Sequence, residues 1–131
     1  MRALVVDDDS TGRLLLQTFL SRYGECHVAV NGKEAVDAYR AARQAGQGYD
    51  LICMDIMMPE VDGLSALRKI RGMEEVQGLK SDQRVRIVMT TAVDDRMSVL
   101  TAFHQLSDAY LTKPIDTQKL LAYLQSFKLA A

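Results

Sequence analysis

Five short apolar runs, at residues 3–6, 26–30, 51–54, 85–91 and 109–111, alternate with segments whose apolar residues recur every three or four positions. The first, Ala3 to Val6, is partly β-branched and stopped by acids, so it reads as a buried strand, and the other four read as strands as well. The segments between carry helical stripes: Leu15, Leu16, Phe19, Leu20 and Tyr23; then Ala35, Val36, Ala38, Tyr39 and Ala42; then Leu64, Leu67 and Ile70. Val99, Leu100, Phe103 and Leu106 form a fourth stripe, and Leu120, Leu121, Leu124 and Phe127 a fifth. Strand and helix alternating five times predict an α/β fold, (βα)5. Its parallel sheet has helices on both faces, joined by right-handed crossovers.

Local signals place the helix ends. Ser10 or Thr11 can cap the first helix, Asp9 reads as a turn or helix-capping acid, and Gly24 marks the helix end. Asn31 followed three residues later by Glu34 has the form of a capping box, and Gly46 and Gly48 close that helix. Asp94 or Asp95 is the expected cap of the fourth. Residues 71–84 are polar, contain Gly72 and Gly78, and read equally as a helix extension or an exposed loop.

Composition narrows the classes. A chain of 131 residues, about half apolar and a quarter charged, is expected to be one domain with one sizeable core. A net charge of −1 with scattered basic residues gives no basic face for nucleic acid. No run approaches the roughly 20 apolar residues of a membrane span, and residues 3–6 are too short for a signal peptide. Cys26 and Cys53 fit no disulfide or metal spacing and read as buried free thiols, and His27 and His104 read as ordinary surface residues. A reducing cytoplasm suits all of this.

The polar residues fall where the sheet would need them for chemistry. In a doubly wound sheet the ligand site lies beyond the carboxyl ends of the strands, at the topological switch point. Asp7, Asp8 and Asp9 end the first strand, Asp55 the third, Thr90 and Thr91 the fourth, and Lys113 follows the fifth. In the flavodoxin-like order 2-1-3-4-5 the acids converge. Clustered carboxylates repel one another, and a hard divalent ion such as Mg²⁺ would compensate them. With Lys113 and a hydroxyl nearby, such a site would stabilise phosphoryl oxygens, and Asp55 could serve as nucleophile.

The ordered set Asp7-Asp8, residues 54–59 (Met-Asp-Ile-Met-Met-Pro), Asp62-Gly63, Thr91-Ala92 and Lys113-Pro114 resembles that of bacterial response-regulator receiver domains, over essentially the whole chain. The resemblance implies a single receiver domain over residues 1–131, a signalling switch rather than a turnover enzyme. It implies that Asp55 accepts a phosphoryl group from a phosphohistidine on a sensor kinase or phosphotransfer protein. Asp8, Asp55 and the backbone carbonyl of Met57 would hold Mg²⁺, with Asp7 acting through water or an outer contact. Thr91 would donate its hydroxyl to the phosphoryl group, Ala92 would leave room for it, and Lys113 would pair with a phosphoryl oxygen. The Lys113–Pro114 bond is expected to be cis. Thr91 would shift inward and Tyr110 turn with it, remodelling the surface of the fourth helix, fifth strand and fifth helix.

Met57 and Val93 are apolar where relatives often carry polar residues, so a long-lived phosphoryl group is expected. Two other classes fit parts of the chain. Residues 7–11 also resemble the Asp-x-Asp-x-Thr start of haloacid-dehalogenase-type phosphohydrolases, with Asp7 as nucleophile and Asp94-Asp95 as a later acidic pair. A non-phosphorylated binding module could use the same fold. With no output domain in the chain, output is expected as contact with a downstream protein or relay of phosphate. The protein would be a monomer or a weak, phosphorylation-dependent dimer.

Overall fold

The computed structural model describes residues 1–56, 58, 63–91 and 106–131. Five strands form one sheet: β1 (Arg2–Val6), β2 (Glu25–Ala29), β3 (Leu51–Asp55), β4 (Arg86–Thr91) and β5 (Ala109–Thr112). All neighbours are parallel and the order is β2-β1-β3-β4-β5, as expected. Four helices accompany them among the described residues: α1 (Ser10–Leu20), α2 (Gly32–Gln44), α3 (Gly63–Val76) and a C-terminal α4 (Thr117–Ser126). The helix expected around Val99 to Phe103, with its Asp94 or Asp95 cap, lies outside the described residues.

Strand periodicity of two divides the core into halves. Leu4, Val6, Ile52, Met54, Ile87 and Met89 point to one face, where Ala35, Tyr39, Leu67 and Ile70 of α2 and α3 cover them. Ala3, Val5, Leu51, Cys53 and Val88 point to the other, against Leu16 and Leu20 of α1 and Leu120 and Leu124 of α4. Each of those helix leucines is at most 2% exposed, and burying such a side chain contributes about 1.5–3 kcal/mol.

Helix starts follow the chemistry of side-chain caps, with corrections. Asp9, not Ser10 or Thr11, caps α1: its carboxylate accepts the Thr11 and Gly12 N–H groups at 3.4 and 3.3 Å. Asn31 accepts the Glu34 N–H at 2.8 Å as a capping box requires, but Glu34 reaches back to the Val30 N–H at 3.0 Å, one residue further than expected. After α2 the chain reverses through Gly46 at φ +74°, a conformation that glycine adopts without strain.

The 71–84 segment resolves into both readings. Residues 71–76 extend α3, and the remainder is a short connection with one 3-10 turn, Ser81–Gln83. In this extension Arg71 and Glu74 face inward. Glu74 is fully buried, accepting the Val85 N–H at 2.7 Å and the Arg71 guanidinium at 2.7 Å. Arg71 also donates to the carbonyls of Leu106 and Val85 and to Asp108.

At the sheet edge, β2 covers Glu25–Ala29 rather than residues 26–30. Glu25 pairs with Arg2 and with His27, whose ring also meets the Tyr49 hydroxyl at 2.8 Å, so His27 is part of a local network. Both cysteines are free; Cys53 is buried, which pushes its thiol up to about 12, while Cys26 is only half-buried.

Candidate phosphoacceptor site

The register brings the acids together. Val6 of β1 stands beside Met54 of β3, so the residues that follow, Asp7 and Asp55, emerge next to each other. Asp55 is in turn level with Thr90 of β4, and the Lys113 N–H donates to the Thr91 carbonyl at 2.7 Å. Carboxylate oxygens of Asp7, Asp8 and Asp55 all lie within 4.8 Å of one another. The Lys113 ammonium bridges two of them, at 3.2 Å from Asp7 Oδ2 and 3.0 Å from Asp55 Oδ2. The site thus unites Asp7, Asp8, Asp55 and Lys113 with Thr91 at the end of β4.

Exposure differs sharply within the set. Asp7, Asp55 and Thr91 are 0%, 6% and 1% exposed, while Asp8 faces solvent. The close approach of α3 to the end of β3 has a steric condition. A Cβ on Gly63 would collide with the Asp55 carbonyl and lie 2.9 Å from the Ile56 Cα, so only glycine fits where α3 begins. Lys113–Pro114 is a cis peptide, as expected. Tyr110 is half-buried and packs against the α2–α3 side of the core. Met57, the expected carbonyl ligand, lies outside the described residues, as do Ala92 and Val93 and the Asp94-Asp95 pair.

Three formal negative charges against one ammonium leave an excess of two. Hard oxygen donors, a charge excess matching a divalent ion and one acid open to water suit Mg²⁺ chemically. Burial lowers the Lys113 pKa, but the hydrogen bonds and charges of Asp55 and Asp7 outweigh it and hold the ammonium above the ordinary lysine value. A raised lysine contributes stability that is complete below the unfolded value of about 10.4 and lost as pH rises through the folded value. Urea denaturation of the metal-free protein is therefore expected to show wild type losing its advantage over Lys113→Met at alkaline pH. Parallel stability curves for the two would refute this role of the ion pair.

Sequence reasoning missed two neighbours of the site, Gly12 and Arg13. Arg13 donates from Nη1 to the Asp7 carbonyl at 2.8 Å, and Gly12 lies directly against the Asp7 carboxylate. The signal was the helical period. Both precede Leu16 by a turn and share the buried side of α1 with Leu16 and Leu20.

A parallel sheet in this order, with acids converging at the ends of β1 and β3 and a lysine after β5, defines a receiver-type fold. The chain belongs to the response regulator receiver domain family, whose model matches residues 3–125. It is 31% identical over 122 residues to the chemotaxis protein CheY of Bacillus subtilis, covering 92% of this chain and 91% of that one. It is 32% identical to a probable transcriptional regulator, Ycf27, of Cyanidium caldarium, covering 94% of this chain but only 44% of that protein.

Among solved structures it resembles the Saccharomyces cerevisiae complex of the histidine phosphotransfer protein Ypd1 with the receiver domain of its downstream response regulator Ssk1. That match has a TM-score of 0.82 and 29% identity, and covers 97% of this chain and 88% of that one. It also resembles the receiver domain of a Pseudomonas aeruginosa sensor histidine kinase that has a magnesium ion coordinated in its active site cleft. There the TM-score is 0.78 at 27% identity, covering 96% and 95%. The chain is accordingly a receiver domain of two-component signalling, a switch rather than a turnover enzyme. No helix among the described residues is long and apolar enough to cross a membrane.

Proposed function

We propose that this receiver domain takes a phosphoryl group onto Asp55 from a phosphohistidine on a sensor kinase or phosphotransfer protein, and that the resulting aspartyl phosphate changes the surface it offers to a downstream protein. The observation that carries this is the placement of Asp55, buried at the end of β3 between the Lys113 ammonium and two further carboxylates. The Asp55 carboxylate attacks phosphorus while the P–N bond breaks, and its electron pair leaves with the imidazole nitrogen. Lys113 moves from the carboxylates toward the incoming phosphoryl oxygens, and the Thr91 hydroxyl donates to another. Asp8 and Asp55 would hold Mg²⁺ with the Met57 carbonyl, and Asp7 would contribute through water. When bound, Mg²⁺ supplies charge neutralisation for the transferring oxygens.

The switch is a population shift between two arrangements, bounded by how differently the phosphoryl group interacts with each. Thr91 and Tyr110 are its reporters, on the adjacent strands β4 and β5, with Tyr110 level with Met89 two residues before Thr91. The donor approaches beside α1, where Leu14 and Leu15 are 63% and 47% exposed. Leu15 also lines a cavity of about 440 Å³ with Asp7, Lys113, Pro114 and Ile115, so an apolar platform adjoins the reacting groups. The domain works in the cytoplasm, where kinases of this kind present their phosphohistidine, and output is a protein contact or onward relay.

Intact-mass analysis after incubation with Mg²⁺ and acetyl phosphate tests this. A single phosphoryl adduct, absent with EDTA and mapping to Asp55, is expected. Wild type that acquires no adduct from either acetyl phosphate or a phosphorylated histidine phosphotransfer protein would instead be a binding module on this fold.

A further inference from the structure

Asp7 is anchored by the first turn of α1 as well as by Lys113. Its carboxylate is fully buried; Oδ1 accepts the Asp9 N–H at 2.9 Å and Oδ2 the Lys113 ammonium at 3.2 Å. Its backbone is fixed on both sides, the N–H donating to the Ala29 carbonyl at 3.1 Å and the carbonyl accepting Arg13 Nη1 at 2.8 Å. Oδ2 rests against Gly12, where a Cβ would stand only 2.8 Å from it.

The backbone does not ask for glycine at position 12, which lies in α1 with φ outside the left-handed region. Alanine there would favour the helix by roughly 0.5–1 kcal/mol. What alanine cannot do is leave the carboxylate where it is. A methyl group would have to push aside a short side chain already tied at both oxygens, moving it relative to Asp8 and Asp55.

We propose that Gly12 and Arg13 are positioning residues for the acid cluster: Gly12 keeps open the volume that the Asp7 carboxylate fills, Arg13 fixes the Asp7 carbonyl, and together they set the Mg²⁺ affinity of the site. This rests on the reading of Asp7, Asp8 and Asp55 as a Mg²⁺ site. Groups that orient metal-binding side chains from behind commonly change affinity by roughly tenfold to a hundredfold when removed. Arg13 acts by geometry as well as charge, because its guanidinium must cross the β1–α1 turn to a single carbonyl.

Calorimetric titration with MgCl₂ of wild type, Gly12→Ala, Arg13→Gln and Arg13→Lys, each verified as folded by circular dichroism, tests the proposal. The Asp9 backbone amide is followed by NMR in EDTA as a metal-free reporter of the carboxylate. Gly12→Ala and Arg13→Gln are expected to bind Mg²⁺ roughly tenfold or more weakly. Arg13→Lys should restore part of the loss, and the Asp9 amide should shift in Gly12→Ala. A purely structural role would alter urea stability but leave Mg²⁺ affinity at the wild-type value, and that result overturns the proposal. An unmoved Asp9 amide in Gly12→Ala overturns the Gly12 part on its own. Wild type that binds Mg²⁺ beside unaffected variants leaves the proposed function standing, whereas wild type that does not bind Mg²⁺ removes that reading and this one together.

Discussion

Asp55→Asn is expected to accept no phosphoryl group from any donor, while Asp7→Asn is expected to accept one slowly. Asparagine at 55 fills the same volume but offers phosphorus no anionic oxygen, so no acyl phosphate can form. Folding should survive, since the change removes one of three carboxylates crowded within 4.8 Å and relieves repulsion in the metal-free protein. Asparagine at 7 keeps an oxygen for the Asp9 N–H but loses the charge that faces Lys113. A slowing of about a hundredfold is reasonable for the loss of one preorganised electrostatic contact. Intact mass over time, with p-nitrophenyl phosphate turnover as a parallel assay, separates the classes. An adduct that persists in Asp55→Asn and vanishes in Asp7→Asn, with repeated turnover by wild type, would make the protein a hydrolase with Asp7 as nucleophile.

Arg71→Met is expected to destabilise the protein by about 3–5 kcal/mol, the range for stranding one partner of a buried ion pair. Glu74 is 0% exposed, and without Arg71 its carboxylate would keep the Val85 N–H but lose the cation that faces it. The same substitution frees the carbonyls of Leu106 and Val85 and one side of Asp108. Burial first, and the Glu74 charge next, push the Tyr39 phenol up to about 12, so Tyr39 stays neutral beside Glu74 and cannot replace the Arg71 charge. The double variant Arg71→Met/Glu74→Gln removes the stranded charge while keeping an acceptor for Val85, and should recover part of the loss. Urea unfolding of the four proteins in the cycle measures this. A single variant within about 1 kcal/mol of wild type would mean that water reaches Glu74 and the pair contributes little.

The strands, the helices between them and the polar residues at the strand ends were legible because each rests on a short-range signal, whereas the strand order rests on the likeness to flavodoxin-like sheets. Strand ends carry the acids, and alternation of strand and helix fixes the layers. What escaped was where a charged residue serves the interior. The stripe Leu67, Ile70 continues inward at Glu74, so an apolar-only pattern ends α3 too early. Gly12 reads as a weak helix residue until the Asp7 carboxylate is seen resting on it. At the start of α1, Asp9, Ser10 and Thr11 can each cap a helix, and it is the Asp9 carboxylate that accepts the Thr11 and Gly12 N–H groups.

Lys113 meets Asp55 across 58 residues of chain and Asp7 across 106. Contacts of such separation require loop closure over long stretches of the chain, a cost in chain entropy that must be met before they form. A chain that has laid down β1 and β3 but not β5 owns the acids without their cation. On the proposed function, competence to receive a signal would therefore arrive with the completed sheet, and a nascent or partly unfolded copy would draw no phosphate from a donor.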